Sequence, residues 1–186
     1  MSAQPPIVAV LVGSLSKQSI NRKLAHALAG LAGARAEFHD VRLDDLPVYN
    51  RDVDADFPPV YRRLKHDIEA ADAVLFVTPE NNRSIPAVLK NALDIASRPW
   101  GKNAFAGKPG AMIGTSTGRA ATALAQRHLR DICAFLDVPL MAQPEAYIGY
   151  HEGLIADDSS VTDTATRDFL MRFIDHYLQW IARFSA

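Results

Sequence analysis

The sequence predicts a three-layer α/β fold: one open, all-parallel, five-stranded sheet of order 2-1-3-4-5, doubly wound, with helices on both faces. Three observations predict it. Apolar runs alternate with amphipathic stretches from end to end of the 186 residues, as repeated strand–helix–strand units do. The strand-like runs are apolar on both sides rather than alternating, which is how strands covered on both faces read. The length favours one domain over residues 1–186, and no repeat, low-complexity segment or linker interrupts it.

The elements follow in order. Ile7 to Val12, IVAVLV, reads as a buried strand. Ile20, Leu24, Leu28 and Leu31 then recur at helical spacing. Ala36 to Val41 is a candidate second strand. Leu43 to Pro59, with Asp44-Asp45-Leu46-Pro47 and Phe57-Pro58-Pro59, reads as a long loop, and loops of that length usually carry function or move. Val60 to Ala70 is a helix with Tyr61, Leu64 and Ile68 on one face. Ala73 to Val77, AVLFV, is the clearest strand. Ser84 to Ser97 reads as a helix, with Ser84 as cap, Pro86 in the first turn, and Ile85, Leu89, Leu93 and Ala96 as its apolar face. Ala111 to Gly114 is a fourth strand and Ala120 to Leu136 a helix. Pro139 to Met141 and Tyr147-Ile148 form a last strand region. Phe169, Phe173, Ile174, Tyr177, Leu178 and Ile181 stripe a final helix, capped around Thr162 or Thr164. Together these give the flavodoxin-like version of the doubly wound sheet.

Composition narrows the function. Lys and Arg number 20 against 21 Asp and Glu, for a formal net charge of -1. That balance argues against a nucleic-acid binder, which carries a basic excess. Cys133 is the only cysteine, so no intrachain disulfide forms. Its neighbours Ile132, Ala134, Phe135 and Leu136 make it a small buried hydrophobe. No run approaches the ~18 apolar residues of a membrane helix. The start, Met1 to Pro6, lacks the basic region of a secretion signal, so the expected location is the cytoplasm. His26, His39, His66, His128, His151 and His176 form no i, i+4 pair and no cluster with Cys133, so no metal site is expected. Trp100, Phe105 and Trp180 read as core or subunit contact.

In such a sheet, ligands bind beyond the carboxyl ends of the strands where the winding reverses, between the first and third strands. Two loops meet there, Gly13 to Asn21 and Thr78 to Ser84, with Thr115 to Arg119 beside them. The first loop has a single glycine, so it is neither G-x-G-x-x-G nor a P-loop. Its hydroxyls (Ser14, Ser16, Ser19), the amide of Asn21 and the N–H groups of a helix start suit one phosphate monoester. Lys17 adds a charge. The competing reading is that Ser19 or Asn21 only caps the helix. The second loop, PENNRS, carries amides and a carboxylate able to read the edge of a planar heterocycle, or it is a plain turn.

The stretches GSLSKQSIN, TPENNRSIPAVLKNALDIASRP and GKPGAMIGTSTG stand in order over about Ile7 to Ile148. Together they resemble the NADPH-dependent FMN reductase family, which includes chromate reductases, quinone reductases and azoreductases. The P-E-x-N-x-S-x-P segment followed by L-K-N-A-x-D is the most specific part. The resemblance implies FMN as cofactor and NADPH or NADH as electron donor. It places the FMN phosphate against Ser14, Ser16, Ser19 and Asn21, with Gly13, Leu15 and Ile20 also counted as cofactor-binding. It lines the isoalloxazine edge with Pro79, Glu80, Asn81, Asn82, Arg83 and Ser84, largely through backbone groups. Thr115, Ser116, Thr117, Gly118 and Arg119 approach from the other side. It implies a homodimer or homotetramer with flavin sites at the subunit interface, where Arg127, Arg130 and Glu145 fall at positions of charged contact or are plain surface. Two positions depart from the family: Ser16 stands where many members have Arg, and Asn81 where many have Tyr.

The implied chemistry is ping-pong transfer of electrons from NAD(P)H to a small-molecule acceptor: a quinone, flavin, azo compound or metal oxyanion such as chromate. The flavin carries the reaction, so no catalytic side chain is expected. Arg83 or Arg119 would attract the NADPH phosphates, or each is a solvated surface charge. Two rivals remain. Gly114 to Gly118 matches the G-x-S-x-G nucleophile elbow, with Ser116 as nucleophile, Asp131 or Asp157 as acid and His151 or His176 as base. A non-catalytic flavodoxin-type carrier is the other, although such carriers tend to be strongly acidic.

Overall fold

The structure, a computed structural model, describes residues 4–184. Met1 to Ala3 of the segment read above for a targeting signal lie outside the described residues. The five strands are β1 (Ile7–Val12), β2 (Glu37–Asp40), β3 (Ala73–Val77), β4 (Gly110–Ser116) and β5 (Tyr147–Gly149). They form one sheet of order β2-β1-β3-β4-β5, and every neighbouring pair is parallel. The helices are α1 (Ile20–Ala32), α2 (Pro59–Glu69), α3 (Ala87–Ala96), α4 (Ala123–Phe135) and α5 (Thr164–Ala182).

Alternate residues of each strand feed two separate cores, because side chains along a strand point to opposite faces. Val8, Val10, Leu75, Val77, Ala111 and Ile113 pack against α1 and α5 through Leu24, Leu28, Leu170, Phe173 and Tyr177. Ala9, Leu11, Val74, Phe76 and Met112 pack against α2, α3 and α4 through Leu64, Leu89, Leu129 and Cys133. β3, central in the sheet, is buried along its whole length. This explains why its sequence has no polar alternation. The edge strand β2 is mostly exposed, and only its four residues pair, fewer than Ala36 to Val41.

Three helix starts differ from expectation. Ser84 does not cap α3; its backbone exchanges two hydrogen bonds with Asn81, Asn81 N to Ser84 O and Ser84 N to Asn81 O, both 3.0 Å. That closes a tight turn in which Asn82 and Arg83 have φ of 50° and 66°, the pattern of a primed hairpin turn. Ile85 precedes Pro86 and is therefore biased away from helix, so α3 begins one residue after Pro86. α4 begins at Ala123, because Ala121 is left-handed with φ 46°. The cap of α5, expected around Thr162 or Thr164, is the residue between them, Asp163, whose carboxylate accepts from Thr166 N. The last strand region also narrows. Only Tyr147–Gly149 forms a strand, and Leu140 contributes a single bridge to Gly110.

Candidate functional site

The carboxyl ends of β1, β3 and β4 open into a cavity of about 240 Å3, lined by Ser14, Ser16, Gln18, Ser19, Ile20, Asn21, Pro79, Glu80, Thr115, Ser116 and Thr117. The three loops singled out by the sequence therefore share one concave site. Gly13 gives it close quarters: a Cβ there would sit 3.3 Å from Pro79 Cδ and 3.4 Å from Leu89 Cβ. Gly114 matters more. A Cβ at that position would lie 2.1 Å from the Thr78 carbonyl oxygen and 2.5 Å from Thr122 Oγ1, so only glycine lets the β3 and β4 exits touch.

The serine hydroxyls share one arrangement. Ser19 caps α1 by accepting from Arg22 N at 3.2 Å. Ser16 Oγ accepts from Gln18 N at 3.2 Å, and Ser116 Oγ from Gly118 N at 3.1 Å. Each oxygen thus accepts a hydrogen bond from a nearby backbone N–H and keeps its hydroxyl proton to give. At the same spot, the first-turn N–H groups of Ile20 and Asn21 have no intrahelical acceptor. The result is a donor-rich concavity at a helix N-terminus, suited to an anion.

Asn21 lines this cavity but spends its amide elsewhere. Nδ2 donates to Thr115 O at 2.9 Å and Oδ1 accepts from Thr115 N at 3.0 Å, both buried. It staples α1 to β4, and only its backbone N–H faces a ligand. Thr115 is likewise occupied, since its hydroxyl donates to Ile148 O at 2.9 Å. Glu80 does not point a free carboxylate at the cavity. Oε2 accepts from Leu124 N at 3.0 Å and Ala125 N at 3.1 Å, and Oε1 from Arg83 Nη1 at 3.2 Å.

Asn81, Asn82, Arg83, Gly118 and Arg119 are exposed and follow the lining residues Glu80 and Thr117 in their loops. Ser84 Oγ meets His128 Nδ1 at 3.0 Å, a contact that local pattern gives no reason to expect. Leu15 turns to the other side of its loop, into a second cavity of about 310 Å3 with Val12, Arg22, Asp40 and Arg42. Lys17 is exposed. Gln126 was missed by sequence reasoning. Buried on α4, its Nε2 donates to Thr122 Oγ1 and Ala146 O, and no amphipathic pattern marks a core glutamine.

The elbow reading fails on geometry. Ser116 ends a regular strand. Among the described residues no histidine ring is hydrogen-bonded to it: His151 Nδ1 faces Glu152 O and His176 Nδ1 faces Arg172 O. Asp157 pairs with Lys23 at 3.0 Å. Cys133 is no alternative nucleophile, since burial pushes its thiol up to about 12 and leaves no thiolate at neutral pH.

Comparison with known proteins decides the chemistry. The family model for NADPH-dependent FMN reductase matches residues 6–153. The chain belongs to the NADPH-dependent FMN reductase family. It is 52% identical over 174 residues to a 2-hydroxy-1,4-benzoquinone reductase of Burkholderia sp, covering 94% of this chain and 95% of that one. It is 36% identical to a quinone reductase of Escherichia coli K12, with 95% of each covered. Among solved structures, FerB of Paracoccus denitrificans, a flavoenzyme NAD(P)H:(acceptor) oxidoreductase, superimposes with a TM-score of 0.93 at 49% identity, covering 96% of this chain and 98% of that one. Membership makes the chain an NAD(P)H-dependent, FMN-using oxidoreductase, and its flavodoxin-like sheet accords with that.

Among the described residues, no group of three His, Cys, Asp or Glu side chains is placed to hold a metal ion. Among the described residues, no helix is long and apolar enough to cross a membrane. Arg130 pairs with Glu145 of its own chain at 3.7 Å, and Arg127 is exposed.

Proposed function

We propose that this chain reduces quinones at the expense of NAD(P)H, with FMN seated in the three-loop cavity. The observation that carries the site is the donor-only character of the first loop. The Ser14, Ser16 and Ser19 hydroxyls and the N–H groups of Ile20 and Asn21 converge at the N-terminus of α1, where the helix dipole favours a phosphate. Backbone groups of Pro79 to Ser84 and of Ser116 to Arg119 flank the ring end. The open volume of about 240 Å3 is below the ~300–1,000 Å3 of pockets that enclose a ligand. In this reading a seated flavin keeps one face open to a second molecule.

When bound, FMN supplies the two-electron chemistry, taking a hydride from NAD(P)H and passing electrons to the acceptor. The chain's own part is to hold the phosphate, to stabilise developing negative charge with loop N–H dipoles, and to leave one side open. NAD(P)H and acceptor use that side in turn, giving ping-pong kinetics. Arg83 and Arg119, both exposed, attract the donor's phosphates. The 52% identity with a hydroxybenzoquinone reductase favours quinones among acceptors, with azo compounds and chromate as further substrates of the same open face. We place the protein in the cytoplasm as one domain that assembles into a homodimer or homotetramer.

The test is an absorption spectrum of the purified protein, followed by anaerobic NADPH and then a benzoquinone. The expected result is a yellow protein that bleaches with NADPH and recovers with quinone. A protein that neither carries nor takes up FMN sinks the proposal. Bleaching only through a separate reductase makes the chain an electron carrier instead.

A further inference from the structure

Glu80 lines the cavity, and its carboxylate is engaged by three hydrogen bonds to the rest of the protein. Its side chain is 8% exposed. Oε2 receives the N–H groups of Leu124 and Ala125, in the first turn of α4. That turn lacks a cap of its own: Thr122 at the N-cap position makes no side-chain capping bond, because its hydroxyl accepts from Gln126 Nε2. Thr122 is fixed there by the close approach at Gly114. Glu80 therefore reaches 44 residues along the chain to supply the missing cap, and Arg83 steadies its other oxygen at 3.2 Å.

We propose that Glu80 is the positioning residue of the cofactor site, its carboxylate a clamp that sets the gap between the loop after β3 and the loop after β4 rather than a ligand of the cofactor. The inference rests on the FMN reading of the cavity. Residues 79–84 form one flank of the ring end and residues 116–119 the other. The bonds to Leu124 and Ala125 tie the first flank to the helix that anchors the second. The capping carboxylate has a further effect. It fills the N-terminus of α4 with an anion, so that α1 remains the open positive pole and fixes which end of the cavity takes the phosphate.

Three variants separate a clamp from a simple helix cap. Glu80→Ala removes both. Glu80→Gln keeps the shape and an accepting oxygen. Glu80→Ala combined with Ala123→Asp gives α4 a first-turn carboxylate of its own but no tie to the other loop. Three readouts are needed: FMN dissociation constant by fluorescence titration of the apoprotein, melting temperature, and amide hydrogen exchange of residues 117–122 without cofactor. We expect Glu80→Ala to weaken FMN binding about tenfold or more and to speed exchange in 117–122. Glu80→Gln restores most of both. The double variant recovers the melting temperature but neither the affinity nor the exchange protection. Recovery of all three by the double variant reduces Glu80 to a helix cap and overturns the proposal, as does a Glu80→Ala protein with parental affinity and exchange. If the parent itself takes up no FMN, the cofactor reading fails, and the exchange data still decide the clamp. If Glu80→Ala does not fold, the decision rests on Glu80→Gln, where parental affinity and exchange support the clamp and unfolding overturns it.

Discussion

The N-termini of α1 and α4 both face the carboxyl edge of the sheet, and they are capped by opposite means. α1 is capped by its own neighbour, Ser19, across three residues. That bond uses one N–H of the first turn and leaves those of Ile20 and Asn21 open to a ligand. α4 is capped from another loop, by Glu80 across 44 and 45 residues, and two of its first-turn N–H groups are consumed. A local cap keeps a helix start available for binding. A distant carboxylate closes it and turns it into a joint between two loops. One helix end receives the ligand and the other holds the site together.

The comparison breaks most severely at Asn21, the one residue of the α1 start that behaves like the α4 joint. Its amide makes two buried hydrogen bonds to the Thr115 backbone. Asn21→Ala leaves that N–H and C=O buried without partners, a cost of roughly 3 kcal/mol. For a chain of this length that lowers the melting temperature by about 6–12 °C. Urea denaturation measures it. A loss under about 1 kcal/mol would mean that the α1 start has no structural tie and the contrast with α4 is overstated.

The difference between Asn21 and its neighbours also marks what the sequence could tell. The sheet order and the helix faces were legible, because two-sided apolar runs such as Ala73–Val77 and stripes such as Leu24 and Leu28 are set by short-range period. The converging loops were legible as well, since the switch point follows from strand order. The use of each polar group was not. Asn21 and Ser19 look alike as helix-start residues, but one bonds Arg22 and the other Thr115, 94 residues away. Glu80 reads as a loop carboxylate until its partners on α4 are in view. Ser84 reads as a cap from its residue type, although Ile85 before Pro86 is biased away from helix, and it fails because Asn82 and Arg83 adopt positive φ and draw it into a turn with Asn81. The misreadings fall where a polar group's partner lies outside what short-range period sets: far along the chain for Asn21 and Glu80, in a tight turn with Asn81 for Ser84.

Ser19 sharpens the comparison with a smaller effect. Its oxygen caps α1 while its hydroxyl proton remains to be given. Ser19→Ala should therefore cost about 1 kcal/mol in stability and also weaken FMN binding by roughly fivefold, the effect of one lost hydrogen bond of ~1 kcal/mol. Denaturation and fluorescence titration read the two separately. Loss of stability with unchanged affinity would show that Ser19 serves the helix only, and that the backbone N–H groups suffice for the phosphate.

The smallest effect belongs to a third helix start, away from the cavity, where capping has neither a ligand nor a second loop to serve. Asp163 caps α5, its carboxylate accepting from Thr166 N at 2.7 Å. Hydrogen bonds from Thr166, side chain and then backbone, are the main causes that hold its pKa below the ordinary value of 3.8, and the charge of His151 adds to them. The folded state thus prefers the ionised form. The stability this confers is fully present above the unfolded pKa and is lost as pH falls through the lower folded value. Asp163→Asn keeps a capping oxygen and removes only the charge. The gap in unfolding free energy between parent and variant should stay constant above about pH 5 and close progressively below about pH 3.9. Denaturation at a series of pH values, with FMN affinity followed alongside, checks both halves of the claim. A gap that persists unchanged to pH 3, or any shift in FMN affinity, would remove the distinction between a cap that only ends a helix and the two that build the site.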